Sequence, residues 1–276
     1  MILAFTRAVS PRLPECELTH LDRAPIDVVR AEAQHAAYES ALAGLGLEVR
    51  RVAPAPEHPD GVFVEDTAVV LDDVALIARP GARSRRGEVE SVAAALAGLR
   101  PLLRVPAPMT LDGGDVLVAG RTLYVGASDR TGGGVHAWLR SELGPRGYDV
   151  REVPVRGCLH LKTAVTMPVP GTFLLNPDWA PVEAFDGRIV EVDPSEPHAA
   201  NVLAVDGRVI VAEGAPRTRR RLKGLGLDVV PVDVSELVRA EAGVTCCSLL
   251  VPLPGSGFRP GGGDAIFDAG NSGTEG

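Results

Sequence analysis

The sequence predicts an α/β fold built from five copies of one small unit. Three observations carry that expectation. Apolar hairpins recur about every 35 to 50 residues, a helical stretch follows most of them, and a short strand of similar composition closes each copy.

The hairpins fall at 68–77 around LDD, 116–125 around AGR, 164–175 around VPG, 202–211 around DGR, and from Ser248 onward around LPG. In each, two apolar runs meet at Gly, Asp or Pro, the residues that supply tight turns. Helical periodicity follows at 88–99, 135–143 and 217–222, while 30–45 serves the copy that wraps round from the N-terminus. The closing strands read GLEVRRVAP, LLRVPAP, GYDVREVPV, GRIVEVDP and GLDVVPVDV. A closed ring of ββαβ modules and an ordinary α/β sandwich with frequent hairpins both accommodate this repeat. Residues 1–253 are expected to form one domain, and the Gly-rich, apolar-poor stretch 254–276 a disordered tail.

A chain of 276 residues with 45% hydrophobic residues has ample material for a buried core. The net charge of -8 excludes the basic surface that non-specific nucleic-acid binding requires. No apolar run approaches the roughly 18 residues a membrane span needs, and the N-terminus lacks the pattern of an export signal. The four cysteines match no zinc spacing, and the adjacent pair Cys246 and Cys247 is poorly placed to bond to itself, so a reducing cytoplasm is expected.

Chemistry-bearing residues gather at one recurring place, just before the first strand of each hairpin: FVED at 63–66, LDGGD at 111–115, CLHLK at 158–162, AAN at 199–201 and TCCS at 245–248. A ring would bring these five points together on its axis. Cys246 and Cys247 offer a thiolate nucleophile, His160 a general acid and base, and Asp112 a partner to orient the imidazole. Each has a plainer reading alone: a packed cysteine, a core histidine, a turn. Their joint recurrence at equivalent positions favours the catalytic one. Asp60, Glu65 and Asp66 flank an apolar run and need a cationic partner there. Arg79, Arg83, Arg85, Arg86 and Arg130 offer paired hydrogen bonds to a carboxylate.

At these residues the chain resembles the dimethylarginine dimethylaminohydrolase family of the guanidine-modifying superfamily. FVEDTAVV, RPGARSRR, LDGGDVL, HLK and TCCS carry the resemblance, in order and spacing, over about residues 12 to 251. It implies a five-module pseudo-symmetric α/β propeller, a pentein-type ring of ββαβ units, with no metal or organic cofactor. It implies hydrolysis of methylated free arginine, a small-molecule substrate, to citrulline and dimethylamine or methylamine through a covalent thiouronium. By position, Cys246 matches the nucleophile, His160 the acid and base, and Asp112 its acidic partner. Asp60, Glu65 and Asp66 match the guanidinium-binding group, and Arg85 and Arg130 the α-carboxylate clamp. Leu18, in PECELTHLD, matches a mobile lid residue, and Ala240 the backbone carbonyl that meets the α-amine. Glu241 falls where several relatives have Asp. No nucleic-acid or membrane partner is implied, and the chain is expected to act as a monomer or homodimer. Two other readings share the frame. An arginine deiminase or amidinotransferase would be told apart by ammonia instead of dimethylamine, and a non-enzymatic five-fold binding module has no need of Cys246, His160 and Asp112.

Overall fold

The structure is a computed structural model and describes residues 1–256. Its first module holds β1 (Ile2–Thr6), α1 (Val28–Gly44) and β2 (Glu48–Arg51), and its second β3 (Ala68–Val70), β4 (Ala75–Ile77), α2 (Val89–Ala97) and β5 (Leu102–Arg104). The third holds β6 (Val116–Ala119), β7 (Thr122–Ala127), α3 (Val135–Leu143) and β8 (Asp149–Pro154). The single-turn α4 (Leu161–Ala164) then leads into β9 (Val165–Val169), β10 (Thr172–Leu175) and β11 (Arg188–Glu191). The fifth module holds β12 (Val202–Val205), β13 (Arg208–Ala212), α5 (Pro216–Gly224) and β14 (Asp228–Val232), after which α6 (Ser235–Val238) leads to β15 (Leu249–Pro252).

These strands form five separate three-stranded sheets. In each, the central strand pairs antiparallel on one side and in parallel with the strand that closes the module on the other, and in four of the five the antiparallel pair is a hairpin, as between β6 and β7. The architecture is a five-module α/β propeller, which decides between the two arrangements the repeat left open.

β15 pairs antiparallel with β1, Ile2 opposite Pro252, so the two ends of the described chain share one sheet, and the return strand of the hairpin expected around LPG lies outside the described residues. Main-chain hydrogen bonds of that pairing continue to Leu253, whose N–H donates to Met1. The fourth module lacks the long helix of the others. NPDWAP, with prolines at 177 and 181, leaves only a short helical turn at Val182–Ala184. The expected tail lies, from residue 257 on, outside the described residues.

Five apolar clusters lie between neighbouring modules and pack α1, α2, α3 and α5 onto the sheets, with Tyr38, Leu96, Leu139 and Leu222 fully buried. No described helix is long and apolar enough to cross a membrane.

Four of the five polar motifs form single helical turns immediately before the first strand of their module, at Val64–Thr67, Gly113–Asp115, Leu161–Ala164 and Pro197–Ala200. A turn at 244–247 is the fifth. Hydrogen bonds join them in a closed circuit. Gly114 N–H donates to Asp66 at 3.0 Å, Leu161 N–H to Asp115 at 2.9 Å, and Asn201 Nδ2 to the Lys162 carbonyl at 2.9 Å. Asn201 Nδ2 also donates to Thr245 Oγ1 at 2.9 Å, and Thr245 Oγ1 donates to Glu65 Oε2 at 2.7 Å, which closes the circle. Buried polar groups in such a network are satisfied by one another and fix the five turns in register.

Candidate active site

Cys246, His160, Asp60, Asp66, Arg85, Arg130 and Ala240 line one buried pocket, with Glu17, Phe63, Leu159, Glu241 and Ala242 completing its wall. The pocket is closed down to a free volume of about 10 Å³.

His160 is itself extended and stands at the N-cap of α4, with its ring set against Asp66 and Asp112 of the neighbouring motifs. Its Nε2 lies 3.0 Å from Asp112 Oδ2, and its Nδ1 lies 3.6 Å from Asp66 Oδ1. Asp112 is fully buried behind the ring, outside the pocket, and its other oxygen accepts the Gly81 N–H at 2.9 Å. Burial pulls the His160 pKa down, but Asp66, Asp112 and Asp115 together raise it to about 9. His160 is an imidazolium at neutral pH.

The glycines of LDGGD are there for close approach. A Cβ on Gly113 would stand 2.0 Å from the Glu65 carbonyl, and one on Gly114 would stand 2.5 Å from His160 Nδ1. Asp115, the motif's last residue, accepts from Leu161 N–H through one oxygen and from Ser128 and Thr131 hydroxyls through the other. It ties the residue after His160 to the loop that carries Arg130. Asp115 had no role in the sequence reading, although its motif did.

Cys246 is buried, and its Sγ accepts the Gly243 N–H at 3.3 Å. Burial, with Glu65, Asp66 and Cys247 nearby, holds its thiol well above the ordinary cysteine range. Without a cation in the pocket it is a thiol. Asp60 is pushed up to about 6 by burial, against the pull of Arg85. Asp66 is held below the usual carboxylate range: burial opposes this, and His160 and Arg85 outweigh it.

Arg85 and Arg130 are not equivalent. Arg85 is buried and engaged by Asp66 at 2.6 Å and Glu88 at 2.9 Å, and its Nη2 also donates to the Phe63 carbonyl at 3.1 Å. It fixes a carboxylate of the pocket and has little left to offer a ligand. Among the described residues Arg130 makes one side-chain hydrogen bond, Nη2 to Thr19 Oγ1 at 2.9 Å, and it lines the pocket without a carboxylate partner there.

Glu65 and Leu18 also stand apart from the pocket wall. Glu65 is held by Lys162 Nζ at 2.7 Å and by Thr245, and it lines a larger cavity of about 430 Å³ on the opposite side of the polar circuit. Leu18 is half-buried against the core, and its neighbour Glu17 reaches the pocket instead.

The ligand-type atoms of Asp66, Asp112 and His160 lie within 4.8 Å of one another, a spacing a metal ion could bridge. The donor chemistry does not fit one. Asp66 is engaged by Arg85 and Gly114, Asp112 by Gly81, and a protonated imidazole has no lone pair to give. The set suits proton transfer next to a nucleophile, with carboxylates placed for a cation.

No family model matches the sequence. The chain is 43% identical to the N(G),N(G)-dimethylarginine dimethylaminohydrolase of Streptomyces coelicolor over 247 residues, which covers 89% of this chain and 95% of that protein. A Pseudomonas aeruginosa enzyme of the same name, solved as a cysteine-to-serine mutant with citrulline, superposes with a TM-score of 0.83 at 32% identity, covering 90% of this chain and 98% of that one. A dimethylarginine dimethylaminohydrolase solved as a histidine-to-glycine variant adduct with S-methyl-L-thiocitrulline gives a TM-score of 0.85 at 32% identity, covering 91% and 100%.

Proposed function

The chain belongs to the dimethylarginine dimethylaminohydrolase family and is a hydrolase of methylated arginine, and on that premise we propose that Cys246 is its nucleophile and His160 its acid and base. The observation that carries this reading is His160, set between the carboxylates of Asp66 and Asp112, in the same pocket as Cys246.

The guanidinium is held by Asp60 and Asp66, with Glu65 as fixed negative charge behind the nucleophile. Arg130 takes the α-carboxylate and the Ala240 carbonyl the α-amine. Arg85 acts by holding Asp66. Arrival of the cation lowers the pKa of the Cys246 thiol, which loses its proton to solvent. The thiolate adds to the guanidinium carbon, and His160 gives its proton to the departing methylated nitrogen. The C–N bond breaks, dimethylamine or methylamine leaves, and a cationic thiouronium remains on Cys246. Neutral His160 then takes a proton from water, the oxygen adds to the same carbon, and the C–S bond breaks to release citrulline.

Residues 1–253 act as one catalytic domain, since the pocket draws on modules from Glu17 to Cys246. All four cysteines are free, in keeping with a cytoplasmic compartment. The test is turnover of asymmetric dimethylarginine in the presence of EDTA, following citrulline and amine together. Equal amounts of citrulline and dimethylamine from the wild type, and neither from Cys246→Ser, are expected. Ammonia from arginine in place of dimethylamine would reassign the substrate.

A further inference from the structure

Glu241 lies one residue beyond Ala240 at the edge of the catalytic pocket, with φ at 58°, a left-handed conformation that non-glycine residues hold at a cost. Its carboxylate accepts from three consecutive backbone N–H groups, those of Thr19, His20 and Leu21, the first at 3.0 Å to each oxygen. The same short segment is tied down at three other points. Glu17 N–H meets the Asp60 carboxylate at 3.2 Å, Glu17 Oε1 accepts from Ser84 Oγ at 2.5 Å, and Thr19 Oγ1 accepts from Arg130. Apolar burial contributes little, because from Glu17 to Asp22 only Leu18 is shielded from solvent, and that by half.

These anchors differ in one respect. Asp60 and Arg130 are the groups proposed to take the guanidinium and the α-carboxylate, so a bound substrate competes for both. Ser84 and Glu241 have no such competing duty, and of these two Glu241 is the one that holds the backbone of residues 19–21. We propose that Glu241 is a positioning residue that holds the 17–21 segment closed over the occupied pocket, and that this closure sets the affinity for the amino-acid ligand. The proposal rests on the functional reading above for the identity of that ligand. The strained backbone at Glu241 has a purpose on this account: it turns the carboxylate out of the 240–243 stretch and toward the three N–H groups.

The experiment is backbone hydrogen exchange of the full-length protein, with and without citrulline, together with steady-state kinetics on asymmetric dimethylarginine. Glu241→Gln, Glu241→Asp and Glu241→Gly are compared with the wild type. Glu241→Gly removes the carboxylate while relieving the left-handed strain, so it serves if Glu241→Gln folds poorly. Exchange at residues 19–21 is expected to rise about tenfold in the Gln and Gly variants, and KM and the citrulline Kd to rise by a similar factor, with a much smaller effect on kcat. Glu241→Asp, one methylene shorter, is expected to fall between. Unchanged exchange at 19–21, an unchanged KM in Glu241→Gly, or a loss falling on kcat alone would each overturn the proposal. A wild type that turns over no methylated arginine would sink the functional reading instead, and the exchange of residues 19–21 would still decide whether Glu241 holds them.

Discussion

His160 Nε2 lies 3.0 Å from Asp112 Oδ2, and the aspartate has no exposure to solvent. Asp66 and this Asp112 hydrogen bond, outweighing burial, raise the imidazole pKa to about 9, so the free enzyme already carries the proton that a departing amine requires. Activity should fall as pH rises through that value. Asp112→Asn removes one of the charges that raise it, so the alkaline limb of the kcat profile should move down by about one unit. A pH–rate profile of the variant checks this, and a limb that stays in place would mean His160 is not the titrating group.

Asp60 should supply the acid limb. Its carboxyl, pushed up to about 6 by burial, loses its charge as pH falls through that value and with it the attraction for a guanidinium. KM should therefore rise below about pH 6 in the wild type, and Asp60→Asn should show a high KM with no such dependence. Initial rates across pH 5 to 8, about a range in which the fold is expected to persist, are sufficient to see it.

The two pocket arginines should fail in different ways. Arg130→Ala should leave stability nearly unchanged and raise KM about ten- to a hundredfold, the value of a lost charge-assisted hydrogen bond. Arg85→Ala should destabilise the protein by about 3 to 5 kcal/mol, because Glu88 would be left buried without its guanidinium and Asp66 would keep only His160 and the Gly114 N–H. Denaturant titration alongside kinetics separates the two outcomes.

Much of this was legible in the sequence because repetition and polarity coincide. Hairpins at 68–77 and 202–211 and the helix at 135–143 follow from turn residues and apolar period, and the structure has them. The site motifs stood out because Asp, His and Cys before a buried strand need a reason to be there. What the sequence hid was pairing. Nothing local distinguishes Arg85, locked to Asp66 and Glu88, from Arg130, whose side-chain partner among the described residues is the Thr19 hydroxyl. Nothing local says that Glu65 turns toward Lys162 and Thr245, or which strand β15 takes as its partner. Apart from Glu88, three residues from Arg85, such partners are set by the closure of the ring, at separations far beyond any sequence period. Gly113 and Gly114 read as turn formers, whereas their role is to let Glu65 and His160 approach the backbone.

Lys162 and Glu65 meet across the polar circuit at 2.7 Å. Lys162→Met should cost about 3 kcal/mol by leaving the Glu65 carboxylate buried without its cation, and adding Glu65→Gln should recover most of that loss. A double-mutant cycle by denaturant unfolding measures the coupling. Additive losses would show that the pair does not act as a unit.

The central claim is a covalent intermediate on Cys246, and rapid acid quench during turnover of asymmetric dimethylarginine, followed by peptide mass mapping, tests it most directly. The account predicts a substrate-derived adduct on the peptide containing Cys246 and Cys247, located to Cys246 by fragmentation and absent from Cys246→Ser. Undiminished citrulline formation by Cys246→Ser, or an adduct on Cys247 alone, would contradict it.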